Sequence, residues 1–231
     1  MTPGSSPASG TPASLDSSGA ADPDTAVILA EAADLDILSD VIAEAFHPLA
    51  PAKWLIPDDA ARRSIFPGYF QIFVEHALSE GVVHTTPGRT GVALWFPVSP
   101  GGPAPPAGYG ERLAAVTGRW VHRFRAFDAV IDQRHPAGFP HDHLAMLAIR
   151  PSQQGQGIGS ALLCAHHGTL DRQNLAAYLE ASDLRTRQLY LRHGYTDHGA
   201  QVRLPGGPLM YPMLRRLNRP ERSGMPRVGL R

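Results

Sequence analysis

A glycine-rich loop late in the chain joins an apolar, strand-like run to a helical segment. Residues 143–149 have the composition of a buried strand, residues 154–159 hold three glycines at alternate positions, and residues 159–170 show a helical apolar face. The first N–H groups of a helix lack partners and carry partial positive charge, and glycine lets the backbone approach a ligand closely. The loop therefore predicts a site for a phosphate-like anion.

The spacing of the loop glycines excludes the two best-known phosphate-binding loops. Gly155, Gly157 and Gly159 do not match Gly-x-Gly-x-x-Gly, which follows the first strand of a dinucleotide fold. No Lys-Ser or Lys-Thr pair follows, as a nucleoside-triphosphate loop requires. For the loop taken alone, a turn that binds nothing remains the alternative.

Strand-like and helical segments alternate on both sides of the loop. The predicted strands are 26–30, 82–86, 91–98, 143–149, 176–181, one that starts at Tyr195, and 209–214. The predicted helices are 34–46, 58–78 with an interruption at Pro67-Gly68, 111–133, 159–170 and 184–193. The alternation around the loop predicts an α/β fold, with a partly parallel sheet and helices on its faces.

Two tails flank the predicted domain. Residues 1–24 contain almost no large apolar side chain, so this segment is predicted to be a disordered tail. Residues 215–231 are rich in arginine and interrupted by prolines, which predicts a flexible basic C-terminal tail. The domain is expected over residues 25–214.

Composition excludes several classes of protein. The 21 Lys and Arg residues balance 21 Asp and Glu residues, whereas general nucleic-acid binding needs a basic surplus. Cys164 is the only cysteine, so no intrachain disulfide forms, and a buried place in helix 159–170 is expected for it. No apolar run reaches the ~18 residues of a membrane span. A cytoplasmic protein with no nucleic-acid or membrane partner is expected.

Three segments in this order resemble motifs of the GNAT acetyltransferases. Residues 147–163 read Leu-Ala-Ile-Arg-Pro and then, from Gln154, Gln-Gly-Gln-Gly-Ile-Gly-Ser-Ala-Leu-Leu, similar to the acyl-CoA motif Gln/Arg-x-x-Gly-x-Gly/Ala. Residues 178–182 resemble the next strand of the family, and residues 189–195 resemble its Leu-Tyr-x-x-x-Gly-Phe helix end. The resemblance is close over residues 143–195 and loose over residues 27–214.

The resemblance implies a fold and a co-substrate. The fold would be α/β (α+β), with a mixed, mostly antiparallel, splayed central sheet of about six to seven strands and helices on both faces. Acetyl-CoA (coenzyme A) would enter between the fourth and fifth strands, and no metal cofactor is expected. The implied contacts to acetyl-CoA are Leu147, Ala148, Ile149, Gln154, Gly155, Gln156, Gly157, Ile158, Gly159, Ser160 and Thr186. Thr186 stands where many members carry an asparagine, and its hydroxyl has fewer hydrogen bonds to offer.

The resemblance also implies catalytic roles. Tyr190 matches the general acid that protonates the leaving thiolate, and its ordinary pKa of about 10 suits a proton donor at neutral pH. Glu180 is the expected base, acting directly or through water, with His141 and His143 as alternatives because imidazole titrates near neutrality. The His-x-His pair could also bind a metal, but with no third ligand in register the sequence predicts none.

The first half of the chain is expected to line the acceptor pocket. The candidate substrate contacts are Trp54, Phe70, Phe73, Trp95 and His143. The strand 93–97 and the helix after it look most like those of puromycin N-acetyltransferases, which implies a small, antibiotic-like primary amine as acceptor. A monomer or homodimer is expected. A protein or peptide N-terminal acetyltransferase and a non-catalytic acyl-CoA-binding regulator remain open, since one fold hosts many functions.

Overall fold

The computed structural model describes Met1 and residues 26–216. The predicted disordered tail, Met1 apart, and residues 217–231 of the predicted basic tail lie outside the described residues. Within them the strands are β1 (Ile28–Leu29), β2 (Val82–Thr85), β3 (Gly91–Val98), β4 (His141–Ile149), β5 (Ala176–Ala181), β6 (Thr196–Asp197), β7 (Val202–Arg203) and β8 (Leu209–Arg215). The helices are α1 (Leu35–Phe46), α2 (Ala50–Leu55), α3 (Asp59–Glu80), α4 (Tyr109–Thr117), α5 (Val121–Asp132), α6 (Ile158–Gln173) and α7 (Leu184–Arg192).

The strands form one mixed sheet. Their order is β1-β2-β3-β4-β5-β8-β6, with β7 paired to β8 off this path. Only the β4–β5 pair is parallel, and every other pair is antiparallel. The expected mixed, mostly antiparallel architecture is confirmed. The described residues contain eight strands, and three of these, β1, β6 and β7, are only two residues long.

The parallel pair separates almost as soon as it forms. Residues 141–143 of β4 pair with residues 176–178 of β5, and no pairing continues beyond them. From Leu144 onward the β5-facing edge of β4 is therefore open, while its other edge stays paired to β3 as far as Ile149. The sheet is splayed, as expected, and its gap opens toward the loop that follows β4.

An irregularity in β4 lies beside this gap. Leu94 of β3 pairs with Met146, but the next residue, Trp95, pairs with Leu144, so Ala145 is an extra residue on β4. An extra residue of this kind bends a strand and strengthens its local twist. The bend occurs just after the last β4–β5 pair, which helps to turn the two strands apart.

Two apolar cores lie on opposite faces of the sheet, because successive strand residues point to opposite sides. In β3, Val92 and Leu94 join the core formed with α1 and α3, whereas Ala93 and Trp95 join the core formed with α6 and α7. All four side chains are fully buried. Helices on both faces of the sheet are thereby confirmed.

The predicted break in α3 at Pro67 is wrong. Asp58 caps the helix as expected, accepting a hydrogen bond of 2.7 Å from the Ala61 N–H, and the helix then runs unbroken to Glu80. Proline removes one backbone donor from a helix interior. Burial of Phe66 and Phe70 on either side of Pro67 offsets that loss through packing.

The single helix predicted over 111–133 is also wrong. The chain forms α4, a 3-10 turn over Gly118–Trp120 and then α5. Gly118 has φ +53°, which an α-helix does not accommodate, so the chain changes direction there. The sequence analysis also missed α2, in which Pro51 occupies the first turn, where a missing N–H does no harm.

Cys164 is exposed, contrary to its expected burial. The inward face of α6 is formed by Leu162, Leu163, His166 and His167, and Cys164 lies on the opposite side. Within residues 26–216, no helix is both long and apolar enough to cross a membrane.

Replacing Leu94 by alanine tests the importance of the core on the α1–α3 face. The side chain is fully buried, so we expect the free energy of unfolding to fall by about 2–5 kcal/mol. Leu29→Ala is the matched control, because that leucine is 64% exposed and its loss should change stability by less than about 0.5 kcal/mol. Urea unfolding followed by circular dichroism measures both, and equal losses would contradict the burial described.

Candidate active site

The gap between β4 and β5 opens into a cavity of about 1000 Å³. Its floor is the unpaired edge of β4, one end is the loop before α6, and the walls come from α1, α3, α5 and α7. A cavity of this size lies within the range of small-molecule sites. The glycine-rich loop, both predicted catalytic residues and part of the predicted acceptor wall therefore share one space.

The loop presents a row of free backbone donors. Gly155 and Gly157 have φ values of +83° and +85°, which favour glycine, and α6 begins at Ile158. The first helical bond is donated by the N–H of Ala161. No described residue accepts a hydrogen bond from the N–H groups of residues 155–160. These amides at a helix N-terminus suit an anionic ligand such as a pyrophosphate.

The predicted contacts on β4 line the same cavity. Leu147, Ala148 and Ile149 belong to the open edge of the strand, and their backbone groups have no β5 partner. The side chain of Gln154 donates a hydrogen bond of 3.1 Å to the Ile149 carbonyl, which ties the loop to the end of the strand. An open strand edge is suited to a ligand that carries amides, as pantetheine does.

The remaining predicted contacts of the co-substrate differ in whether they line the cavity and in which of their groups are free to bind a ligand. Gly159 and Ser160 line the cavity, whereas Gln156 does not. Ile158 is 1% exposed, so its side chain belongs to the core and only its backbone is available at the loop end of the cavity. Thr186 lines the cavity, but its hydroxyl is hydrogen-bonded to Asp183 in the capping box of α7.

Tyr190 projects from α7 into the cavity. It is 8% exposed, and its ring packs edge-on against Tyr195 at a centroid distance of 5.7 Å. Burial, assisted by the negative charge of Asp183, raises the pKa of Tyr190 above its ordinary value. No described residue is hydrogen-bonded to its hydroxyl, so the neutral phenol is free to donate a proton into the cavity.

Glu180 and His143 form a hydrogen-bonded pair at the point where the strands separate. His143 Nε2 lies 3.0 Å from Glu180 Oε2, and the two side chains are 15% and 7% exposed. Burial alone would raise the pKa of Glu180, but the neighbouring His143, together with the Tyr178 hydroxyl and His135, outweighs burial and holds that pKa below its ordinary value. Glu180 is thus a buried carboxylate, the ionised form that a base requires.

Two more histidines extend this pair. His135 Nε2 lies 3.1 Å from His141 Nε2, and the ring of His135 packs against that of His143 at 4.8 Å. Burial and the neighbouring imidazoles lower the pKa of His135 to about 4, and burial also lowers the pKa of His141. Both rings are therefore neutral near pH 7.

Aromatic side chains form the wall on the α3 side of the cavity. Phe70 and Phe73 line it as expected, in contact with Tyr69, and Phe73 also meets Tyr109. Trp95 was expected here but lies fully buried on the other face of the sheet, stacked on His166 at 4.2 Å.

Trp54 was also expected in this wall and lies outside it. Its indole N–H donates a hydrogen bond of 3.0 Å to the Pro205 carbonyl, and Arg123 stacks over the ring. These contacts fix the indole against the β7–β8 turn, away from the cavity-lining residues.

Carboxylates on α5 face the same wall. Asp128 and Asp132 line the cavity, and the Tyr109 hydroxyl donates a hydrogen bond of 2.9 Å to Asp128. Burial raises the pKa of Asp128 to about 6, with the charge of Asp132 adding to the rise. The lining cations Arg185 and Arg192 belong to α7, the helix that carries Tyr190.

His135, Asp128 and Asp132 were not predicted from the sequence as site residues. Asp128 and Asp132 are four residues apart on α5, a spacing that places both on one helix face. That pattern was visible in the sequence, but it is also typical of an ordinary solvated face. His135 meets His141 and His143 of β4, and Asp128 meets Tyr109 of α4, and nothing local in the sequence indicates these contacts.

Comparisons with known proteins agree with this geometry. Residues 116–197 match the sequence model of a family described as "Acetyltransferase (GNAT) domain". The structure is similar to that of a protein described as histone acetyltransferase HPA2 and related acetyltransferase from Corynebacterium glutamicum. The two share 28% identity over 84% of this chain and 97% of the other, with a TM-score of 0.61.

Two insect enzymes share the fold at lower identity. Arylalkylamine N-acetyltransferase 2 from Aedes aegypti is 10% identical, covering 84% of this chain and 99% of its own, with a TM-score of 0.55. A polyamine N-acetyltransferase from Drosophila melanogaster, described as catalysing the formation of N-acetylagmatine, is 14% identical. It covers 83% of this chain and all of its own, with a TM-score of 0.51.

The fold and the matched domain define the class of protein. The splayed mixed sheet is the GNAT fold, and the matched residues include the end of α4, α5, β4, the loop, α6, β5 and α7. Residues 116–197 match a GNAT acetyltransferase domain, and this match, together with the similar acetyltransferase structure, identifies the protein as an acyltransferase. GNAT acetyltransferases use acetyl-CoA as co-substrate.

A pair of glycine substitutions separates backbone strain from ligand binding. Gly157 and Gly138 both have φ +85°, and a Cβ at either would meet nothing within 4 Å. Alanine at either position should cost about 1–2 kcal/mol of stability. Only Gly157→Ala should weaken acetyl-CoA binding, by about tenfold or more, because a backbone shift that relieves the strain at φ +85° turns at least one loop amide away from the anion, and a hydrogen bond to a charged group is worth that much. Calorimetric titration measures the affinity, and equal affinities in the two variants would refute the role of the loop.

Proposed function

We propose that this protein transfers the acetyl group of acetyl-CoA to the primary amine of a small molecule by direct attack of the amine. One observation carries the proposal: a buried carboxylate, Glu180, and an unpartnered phenol, Tyr190, line the same cavity at the open edge of β4. Direct transfer needs one group that takes a proton and one that gives a proton. These two residues provide both.

Acetyl-CoA would lie along the open edge of β4. Its pantetheine amides would pair with the backbone of residues 147–149, and its pyrophosphate would accept hydrogen bonds from the free amides of residues 155–160. Arg185 and Arg192 line the cavity and add positive charge on the α7 side. This arrangement would direct the thioester toward the space between β4 and β5.

Glu180 is proposed as the base. The acceptor arrives as an ammonium ion and must lose a proton before its nitrogen can attack the thioester carbon. The carboxylate is ionised and buried, and its partner His143 also lines the cavity. Glu180 accepts the proton directly or through water, and His143 holds the carboxylate in position.

Tyr190 is proposed as the acid. The C–N bond forms as the C–S bond breaks, and the sulfur leaves with the electron pair of that bond. The Tyr190 hydroxyl gives its proton to the sulfur and is reprotonated from solvent. The ammonium ion loses two protons in all. One is matched by the proton that the thiolate gains when it becomes a thiol, and the other is released to solvent.

The cavity lining favours a cationic acceptor with an apolar body. Asp128, Asp132 and Glu180 supply negative charge, while the neighbouring wall is aromatic. Carboxylates attract an ammonium ion, and aromatic faces stabilise it further. The likeness to enzymes named for arylalkylamines and polyamines agrees with such an acceptor. The resemblance to puromycin N-acetyltransferases remains a prediction and adds antibiotic amines to the candidates.

A panel of acceptors tests the proposal. Acetyl-CoA is offered with arylalkylamines, agmatine and polyamines, puromycin, aminoglycosides, amino acids and short peptides, and release of the coenzyme A thiol is followed by colour. We expect turnover with a small amine and little with peptides. Turnover only with peptides would favour an N-terminal acetyltransferase. Acetyl-CoA binding with no turnover of any amine would favour a non-catalytic regulator.

Two conservative substitutions test the assigned roles. Tyr190→Phe and Glu180→Gln keep shape but remove the acid and the base, so kcat should fall by about 10²-fold or more in each. Tyr211→Phe and Glu75→Gln are the matched controls, since neither residue lines the cavity. Steady-state kinetics with the best amine measures the effect. Unchanged kcat in Tyr190→Phe or Glu180→Gln would remove that residue from the mechanism.

A further inference from the structure

Three side chains of metal-ligand type meet inside the cavity, and they come from three different parts of the chain. His135 follows α5, His143 belongs to β4 and Glu180 to β5. One ligand atom of each lies within 4.8 Å of the others, and all three residues line the cavity. Within the part of the chain that the structure describes, no other group of three or more His, Cys, Asp or Glu side chains meets this geometry.

The carboxylate of this cluster has an unused oxygen. Glu180 Oε2 faces His143, whereas Glu180 Oε1 is buried and makes no hydrogen bond of 3.5 Å or less to a described residue, because the nearby Tyr178 hydroxyl is directed to the Arg134 carbonyl. A buried carboxylate oxygen without a donor or a cation is costly, and native proteins rarely leave one so. Acetyl transfer uses this carboxylate only while an amine is present, so the unused oxygen indicates a further ligand for the free site.

The tautomer of His135 leaves one of its ring nitrogens free to bind a cation. His141 Nδ1 lies 3.1 Å from the Phe139 carbonyl, which only accepts hydrogen bonds, so this nitrogen carries the proton. In the neutral ring, His141 Nε2 then accepts a hydrogen bond from His135 Nε2. That leaves His135 Nδ1 with a lone pair, and no described residue donates a hydrogen bond to it. An outer partner that fixes the tautomer of a histidine is typical of metal sites.

We propose that His135, His143 and Glu180 bind a zinc-type divalent cation. Two nitrogens and one carboxylate oxygen are a donor set that Zn²⁺ accepts, whereas Mg²⁺ and Ca²⁺ prefer oxygen ligands. The fourth position faces the cavity and is open to water or to an amine.

The distances require only a small adjustment. His143 Nε2 and Glu180 Oε2 are 3.0 Å apart, close to the ~3.3 Å between ligands of a tetrahedral site with bonds of ~2.05 Å. A cation bound there would replace the proton between these two atoms and would lie beside the unused Oε1 of the same carboxylate. The widest separation in the cluster, at most 4.8 Å, closes to that value when the ligand atoms move by about 1.5 Å in total. A side-chain rotation of His135, which follows the end of α5, supplies such a movement.

The cation would act as an inhibitor. On the proposed function, Glu180 takes the proton of the acceptor amine, and a bound cation occupies that carboxylate and repels an ammonium ion. Inhibition is then competitive with the amine and not with acetyl-CoA, which binds along β4 and the loop. The binding site itself does not depend on the reaction, so binding is measured separately from turnover.

The test titrates metal-free protein with Co²⁺, whose visible absorption reports nitrogen and oxygen ligands, followed by displacement with Zn²⁺. The background carries Cys164→Ser, since the exposed thiol lies 3.8 Å from His193 Nδ1 and could bind metal itself. We expect one equivalent of Co²⁺ to bind. His135→Gln and Glu180→Gln should each weaken Co²⁺ binding by about 100-fold or more. Removal of a residue that only orients a metal ligand typically weakens binding by about 10–100-fold, which is less.

Two further variants make the result specific. His122→Gln removes an exposed histidine of α5 outside the cavity and should leave binding and turnover unchanged. His141→Gln removes the outer partner and should weaken binding by about tenfold. Absence of stoichiometric Co²⁺ binding, or equal binding in wild type, His135→Gln and Glu180→Gln, would overturn the proposal. Amine turnover without Co²⁺ binding would refute the metal site and leave the proposed function intact. Co²⁺ binding at these residues without turnover of any amine would support the metal site and count against the proposed function.

Discussion

The separation of β4 from β5 creates the cavity on which the rest of the candidate site depends. Three residue pairs hold the two strands together, and beyond them both strands run on with one unpaired edge each. A hydrogen-bonded sheet has no room for a ligand between adjacent strands, whose spacing is ~4.8 Å. Because pairing stops after His143, the backbone of β4 becomes accessible and the side chain of Glu180 has space beside it. The extra residue Ala145 accounts for part of the divergence.

The cavity combines parts with different physical roles. The loop before α6 offers free amides, the carboxylates of α5 and β5 supply negative charge, and aromatic rings exclude water from the wall between them. These parts suit a reaction between an anionic co-substrate and a cationic acceptor. On the proposed function, the opposite charges of the two substrates would draw each to a different part of one cavity.

Secondary structure was predicted correctly where an element is encoded in consecutive residues. The loop, β5 and the helix of Tyr190 were each recognisable because their spacing reflects local backbone geometry. Prediction from the sequence failed where function depends on contacts between distant segments. His135 was missed because its relation to Glu180, 45 positions away, exists only after folding. Trp95 was misplaced because alternate residues of β3 face opposite cores, and composition alone does not reveal which face holds the cavity.

The amides of residues 155–160 and the open edge of β4 are backbone groups that the described residues leave unpaired. On the proposed binding mode, acetyl-CoA would serve as the missing strand as well as the acetyl donor. A ligand that binds only the folded state stabilises it in proportion to RT ln(1 + [L]/Kd). The lifetime of this protein against unfolding and proteolysis would then rise and fall with the acetyl-CoA supply, so that its abundance follows the metabolic state of its surroundings.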